Sequence, residues 1–157
     1  MIMVDDIASE PAIRWSPVRP AAHMVDVRPV TDADRDAVVG ILTRSWGTTS
    51  VAGHGVRHDA ATLPGLIATR AGRAVGLLTY HVDDAEWEVV TLDAVDSGSG
   101  IGTALLRSVE QAARAAGASR LWLITTNDNT RALRFYQRCG FDLVALIATR
   151  SPGRAPP

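Results

Sequence analysis

The chain has 157 residues, 46% apolar and 21% charged, the balance of a single globular domain long enough to bury a real core. Its formal net charge of −1 excludes a global basic field that would recruit nucleic acid or an anionic membrane. One cysteine excludes an internal disulfide and no apolar run reaches membrane-spanning length, so a soluble cytoplasmic protein without nucleic-acid or membrane partners is expected.

Residues 1–23 carry Pro11, Pro17 and Pro20 and no periodicity, and read as a disordered leader. The patterned domain spans residues 24–150, with 151–157 as a disordered tail. MVDVRPV, from Met24, predicts a short strand that Pro29 confines to an edge or an end. Thr31 is an N-cap candidate, Asp32 and Asp34 suit the first helical turn, and Val38, Ile41, Leu42 and Ser45 mark one face of a helix that Gly47 stops. From Thr48 to Leu63 the pattern is lost around Gly53, Gly55 and Pro64, which predicts a loop. Three strands follow, Gly65–Arg70, Ala74–Val82 and Glu86–Val95, joined by the turns Ala71-Gly72 and Asp83-Asp84.

The next stretch, DSGSGIG, organises the rest. Gly98, Gly100 and Gly102 lack a Cβ, so the backbone can turn tightly and approach a ligand closely. Behind them Ile101, Leu105, Val109, Ala112 and Ala116 recur at helical spacing up to a stop at Gly117. A glycine turn that opens a helix presents free N–H groups and the positive dipole end, an arrangement suited to phosphate. A nucleotide P-loop requires Gly-Lys-Ser/Thr, but Gly102-Thr103 follows Ile101 with no lysine. The dinucleotide fingerprint needs a third glycine where Thr103 stands, and it belongs early in a βαβ unit rather than past the middle of a chain.

Beyond the helix, RLWLITT (Arg120–Thr126) is a near-continuous apolar strand of the kind covered on both faces. Asn127–Asn129 forms a turn with an N-cap candidate, Thr130–Cys139 a short helix ended by Gly140, and Phe141–Ile147 the last strand. The order β-α-loop-β-β-β-α-β-α-β implies an α/β (α+β) fold with a mixed sheet, antiparallel first and locally parallel across the central helix, with helices on both faces.

Two motifs together, G-x-G-I-G-x-A-L-L after an apolar strand and TTNDNTRALRFYQRCGF (Thr125–Phe141), resemble the GNAT superfamily of N-acetyltransferases. The resemblance runs from about Val25 to Ala148. It implies acetyl-CoA as co-substrate, no metal, and direct acetyl transfer to a primary amine of a small molecule or protein. It implies that Gly98, Ser99, Gly100, Ile101, Gly102 and Thr103 hold the pyrophosphate. The pantetheine arm then lies between splayed strands against Leu92 and Ala94, Asn129 and Arg131 contact the cofactor, and Tyr136 protonates the departing thiolate. A general base is sought among Glu88, Asp93 and His81. Glu88 is preferred, as an acid sharing with Val90 and Leu92 one face of an apolar strand, with Asp93 on the other. Trp46, at the end of the first helix beside the irregular loop, is the candidate for the acceptor pocket.

Two departures stand out. Ser97 replaces the Arg or Gln common at the loop's start, so backbone amides, or Arg131 or Arg134, must carry more of the diphosphate's charge. The chain also runs into SPGRAPP where the family usually has a final strand. The sheet then lacks that strand, and the leader around Ile13–Val18 or a second subunit of a homodimer would cover the edge. A non-catalytic acyl-CoA-binding module is the rival reading.

Overall fold

The computed structural model describes residues 25–53 and 55–146 together with the backbone of residues 2–5. Its strands are β1 (Ile2–Asp5), β2 (Asp26–Pro29), β3 (Ser50–Gly53), β4 (Val56–Asp59), β5 (Gly65–Arg70), β6 (Arg73–Asp83), β7 (Glu86–Ala94), β8 (Arg120–Thr125) and β9 (Asp142–Leu146). The α-helices are α1 (Arg35–Trp46), α2 (Ile101–Ala115) and α3 (Thr130–Arg138). Seven strands form one sheet in the order β2-β5-β6-β7-β8-β1-β9, and β3 and β4 form a separate hairpin. The β7–β8 pair is parallel and every other pair is antiparallel. This is the expected mixed sheet, with its parallel step where α2 supplies the crossover that parallel strands require.

The sheet separates two cores, and consecutive residues of β6 show why. Leu78 faces the α2 side, where Ile101, Leu105, Leu106 and Val109 are buried against Leu66, Val89, Leu121 and Leu123. Leu77 faces the other side and packs with Val38, Ile41 and Leu42 of α1. A strand buried on both faces reads as a continuous apolar run, as this one does. The buried stripe of α2 runs through Leu106 and Ala113 rather than Ala112 and Ala116. Removing a side chain such as Leu105, which has no exposed surface, would cost about 2–5 kcal/mol through lost burial and the cavity left behind.

The lead into α1 is a short 3-10 turn (Asp32–Asp34). The Thr31 amide donates to Asp34 at 2.9 Å, and the Arg28 guanidinium grips both Asp34 oxygens at 2.7 and 2.8 Å. Those contacts hold the Asp34 carboxyl well below its ordinary range. Gly47 then ends α1 in the left-handed region, at φ 72°.

Two expectations change. The loop expected over Thr48–Leu63 contains the β3–β4 hairpin, paired from Ser50↔Asp59 to Gly53↔Val56. The glycines that read as breakers lie at its turn. The sheet's gap next to β8 is occupied by β1, which pairs with β8 (Ile2↔Thr125 to Asp5↔Trp122) and with β9 (Ile2↔Leu146 to Asp5↔Asp142). The chain's own start therefore provides a strand there, where no pattern was read. Ile13–Val18 and residues 147–157 lie outside the described residues. Among the described residues β9 is one edge of the sheet, and there Leu143, Val144 and Leu146 are exposed.

Candidate active site

The site is built where β7 parts from β8. Their pairing begins at Glu86↔Arg120 and stops at Val89↔Leu123, while β7 continues to Ala94. On its other edge β7 remains paired with β6 up to Gly76↔Ala94. The backbone from Val90 to Ala94 thus has a partner on one side and a widening gap on the other. A strand edge of this kind offers N–H and C=O groups to an extended ligand.

A β-bulge sits where the strands part. Thr79 faces Thr91 and Tyr80 faces Val89, so Val90 is the extra residue. A bulge shifts side-chain alternation by one. The result corrects the expected faces of β7. Val89 and Leu92 both pack on the α2 core, whereas Thr91 bonds the Thr79 hydroxyl at 2.8 Å and Asp93 turns toward α1. Glu88 is the cross-strand partner of His81 and lies beside the hairpin, its Oε1 3.6 Å from where a Cβ on Gly53 would stand. Glu88 and Asp93 therefore share a face, opposite Leu92.

Above the gap, Gly98 and Gly100 take φ values of 81° and 80°, and a Cβ at either would meet nothing within 4 Å. These positions demand glycine for conformation, not for space. Gly100 caps α2, with the amides of Ile101, Gly102 and Thr103 in its first turn. Gly102 serves another purpose: a Cβ there would stand 3.0 Å from Phe135 Cζ, so its absence lets α3 pack closely on the start of α2. Ser99 is tied into the loop, its hydroxyl donating to the Asp96 carbonyl at 2.6 Å.

Tyr136 lies on α3, between Phe135 and Phe141, with ring centroids at 5.4 and 6.1 Å. Burial, helped by the negative charge of Asp93 nearby, pushes its phenol up to about 12. Burial also raises the Cys139 thiol, which makes a poor nucleophile of it. Asn129 caps α3, its side chain accepting from the Ala132 amide at 3.2 Å, and Arg131 is exposed on the first turn. Neither stands in a cluster with Tyr136 in the described contacts.

Trp46 was singled out for the acceptor pocket, and the structure gives it a specific partner. Its indole nitrogen lies 3.1 Å from each oxygen of Asp93, and the residue is 47% exposed. Burial raises the Asp93 carboxyl, an effect that the hydrogen bonds from Trp46 and Ser45 oppose. Sequence reasoning weighed Asp93 as an alternative base or a partner of the helix start and missed this contact, because 47 residues separate the two positions. It also missed the His58–His81 pair, whose ring centroids are 4.9 Å apart. The signal available was the run on either side of Gly53-His54-Gly55, a two-strand pattern around a glycine turn.

The sequence model described as "Acetyltransferase (GNAT) family" matches residues 33–141. The chain belongs to the GNAT acetyltransferase family. It is an acyltransferase. A relative in Bacillus subtilis (strain 168), "Uncharacterized protein YdhI", is 34% identical over 125 residues, 79% of this chain and 78% of that one. Streptothricin acetyltransferase of Streptomyces lavendulae is 41% identical over 58 residues, 37% of this chain and 31% of that one. Among solved structures, the aminoglycoside acetyltransferase AAC(6')-Iy in complex with the bisubstrate analog CoA-S-monomethyl-acetylneamine shares the fold. Its TM-score is 0.64 at 17% identity, over 83% of this chain and 99% of that one. For this GNAT chain, no described helix is long and apolar enough to cross a membrane.

Proposed function

We propose that this enzyme transfers the acetyl group of acetyl-CoA directly to a primary amine, with Tyr136 as general acid and Glu88 as general base. The observation that carries the reading is the parting of β7 from β8 after Val89↔Leu123, under the glycine turn and beside α3. In this reading the diphosphate rests on the amides from Gly98 to Thr103, where the helix dipole favours negative charge. With Ser97 at the loop's start, Arg131 adds charge from α3 and Asn129 a polar contact. The pantetheine arm pairs with the free edge of β7 at Leu92 and Ala94, whose backbone groups also polarise the thioester carbonyl.

The amine arrives as an ammonium and loses one proton to Glu88, directly or through water. Its nitrogen attacks the carbonyl carbon, the C–S bond breaks, and the thiolate takes the Tyr136 phenolic proton. The nitrogen releases its second proton to solvent, Glu88 passes its proton to solvent, and a proton from water restores the phenol. The net products are an acetamide, the CoA thiol and one proton. A phenol pushed up to about 12 stays protonated at any working pH, as a proton donor must. The acetylneamine complex of the structural neighbour supports an amine acceptor.

Tyr136→Phe tests the acid. The ring packing on Phe135 and Phe141 survives the change, so CoA affinity should hold while thiol release from acetyl-CoA with a panel of amines falls roughly 100-fold or more. Wild-type turnover should show no alkaline limb from this group below about pH 10. Equal turnover by the variant would remove Tyr136 from the mechanism. Cofactor binding with no turnover of any amine by the wild type would favour the rival, a regulatory acyl-CoA-binding module.

A further inference from the structure

The glycine turn has a cation on its β5 side. Leu66 and Ala68 of β5 pack on the α2 core, and alternation puts Arg70 on the same face, at the strand's end. The irregularity in the β5–β6 pairing falls on β6, where Val75 is the extra residue, so β5 keeps its alternation. Ala68 lies opposite Gly76, and a Cβ on Gly76 would collide with Ile101 in the first turn of α2. The start of α2 thus rests on the sheet beside Ala68, with Arg70 at its flank. The Arg70 guanidinium reaches the turn itself: Nη1 lies 4.0 Å from Oδ2 of Asp96, whose backbone carbonyl accepts from the Ser99 hydroxyl. That pair is at the limit of contact, and the Asp96 carboxylate is exposed, so it adds little to stability. The Arg70 Nε is buried with no hydrogen-bond partner, although the side chain as a whole is 27% exposed. A donor left in that state is costly, and an oxygen brought to the turn would let the head swing to satisfy it.

Resting on the acetyl-CoA reading above, we propose that Arg70 binds the diphosphate of CoA at the glycine turn, a cation borne on a neighbouring strand in place of one on the turn. The turn needs it. Ser97 brings no charge to its start, and Asp96 sets a negative charge two residues before Gly98, where a diphosphate would be repelled. A planar guanidinium offers two parallel N–H bonds to phosphate oxygens, which a single backbone amide cannot. Its partly buried stem holds the head near the turn, so less freedom is lost on binding. Arg131 lies one turn before Phe135 on α3, and Phe135 packs on Gly102, so Arg131 serves the α3 side of the helix start. Arg70 serves the β5 side. When CoA is bound, Arg70 exchanges its loose contact with Asp96 for the phosphate oxygens.

The test is calorimetric titration of CoA into the wild type, Arg70→Gln, Asp96→Asn and the double variant, each checked for a cooperative melt. Arg70→Gln should bind CoA about tenfold more weakly, the loss that follows removal of a hydrogen bond to a charged group. The same loss should persist in the Asp96→Asn background. A loss that vanishes there means that Arg70 only neutralises Asp96, and overturns the proposal; so does full CoA affinity in Arg70→Gln. Dephospho-CoA keeps the diphosphate and lacks the 3′-phosphate, so it should show the same loss. A loss confined to CoA assigns Arg70 to the 3′-phosphate and overturns its place at the turn. Arg70→Lys keeps the charge without the fork, and it replaces Arg70→Gln if that variant fails to fold. It should bind CoA less tightly than the wild type, and equal affinity overturns the bidentate contact. Each of these failures leaves the acetyl-CoA reading standing. No binding of CoA by the wild type defeats that reading and this proposal with it.

Discussion

Asp93 shows how one residue can link the two halves of the site. The residue is only 9% exposed, both carboxylate oxygens lie 3.1 Å from the Trp46 indole nitrogen, and its charge is felt by Tyr136. Burial raises its folded-state pKa above the unfolded value of 3.8. The fold therefore favours the protonated form, and that contribution is complete below the unfolded pKa and lost as pH rises through the folded one. Asp93→Asn removes the titration but keeps an oxygen that can accept from Trp46. The unfolding free energy of the wild type relative to this variant should decline as pH rises from about 3.5 toward 7 in urea titrations. A difference independent of pH would mean that Asp93 ionises in the fold as freely as in the unfolded chain. None of this was readable from the residue alone, since an acid in an apolar strand is consistent with several partners and only the fold names Trp46.

Among the elements, the glycine turn and α2 were the most legible. The turn's residues permit only a few conformations, and a helix with Ile101, Leu105 and Val109 on one face has one way to lie on a sheet. Gly100→Ala separates conformation from space at that turn. No atom lies within 4 Å of the added Cβ, yet φ is 80°, so the change should cost roughly 1–2 kcal/mol and weaken CoA binding as the loop shifts. Calorimetric titration with CoA, beside a thermal melt, reads both effects; full affinity at unchanged stability would show that the left-handed turn is not needed. The hairpin β3–β4 was illegible for the opposite reason. Its strands are four residues each and none of those residues is buried, so they carry no long alternation, and pairing rather than burial defines them. The bulge at Val90 left no mark in the sequence either. It is created by the register between β6 and β7, and it moves Glu88 to the face of Asp93.

At the scale of the molecule, the antiparallel-then-parallel order of strands followed from the succession of patterned segments, because short connections leave few topologies. The place of β1 did not. Four residues ahead of a long unpatterned stretch give no periodicity to read, and their position depends on a gap between β8 and β9 that only the assembled sheet creates. Filling that gap pairs β8 on its outer side and leaves the upper edge of β7 as the sheet's internal opening. The account turns on that opening receiving CoA. The most direct test is a CoA titration of the ¹⁵N-labelled protein followed by amide chemical shifts. The amides of Leu92–Ala94 and of Gly98–Thr103 should move together and saturate at one Kd. If CoA binds while those amides stay still and shifts gather elsewhere, the gap between β7 and β8 is not the cofactor site.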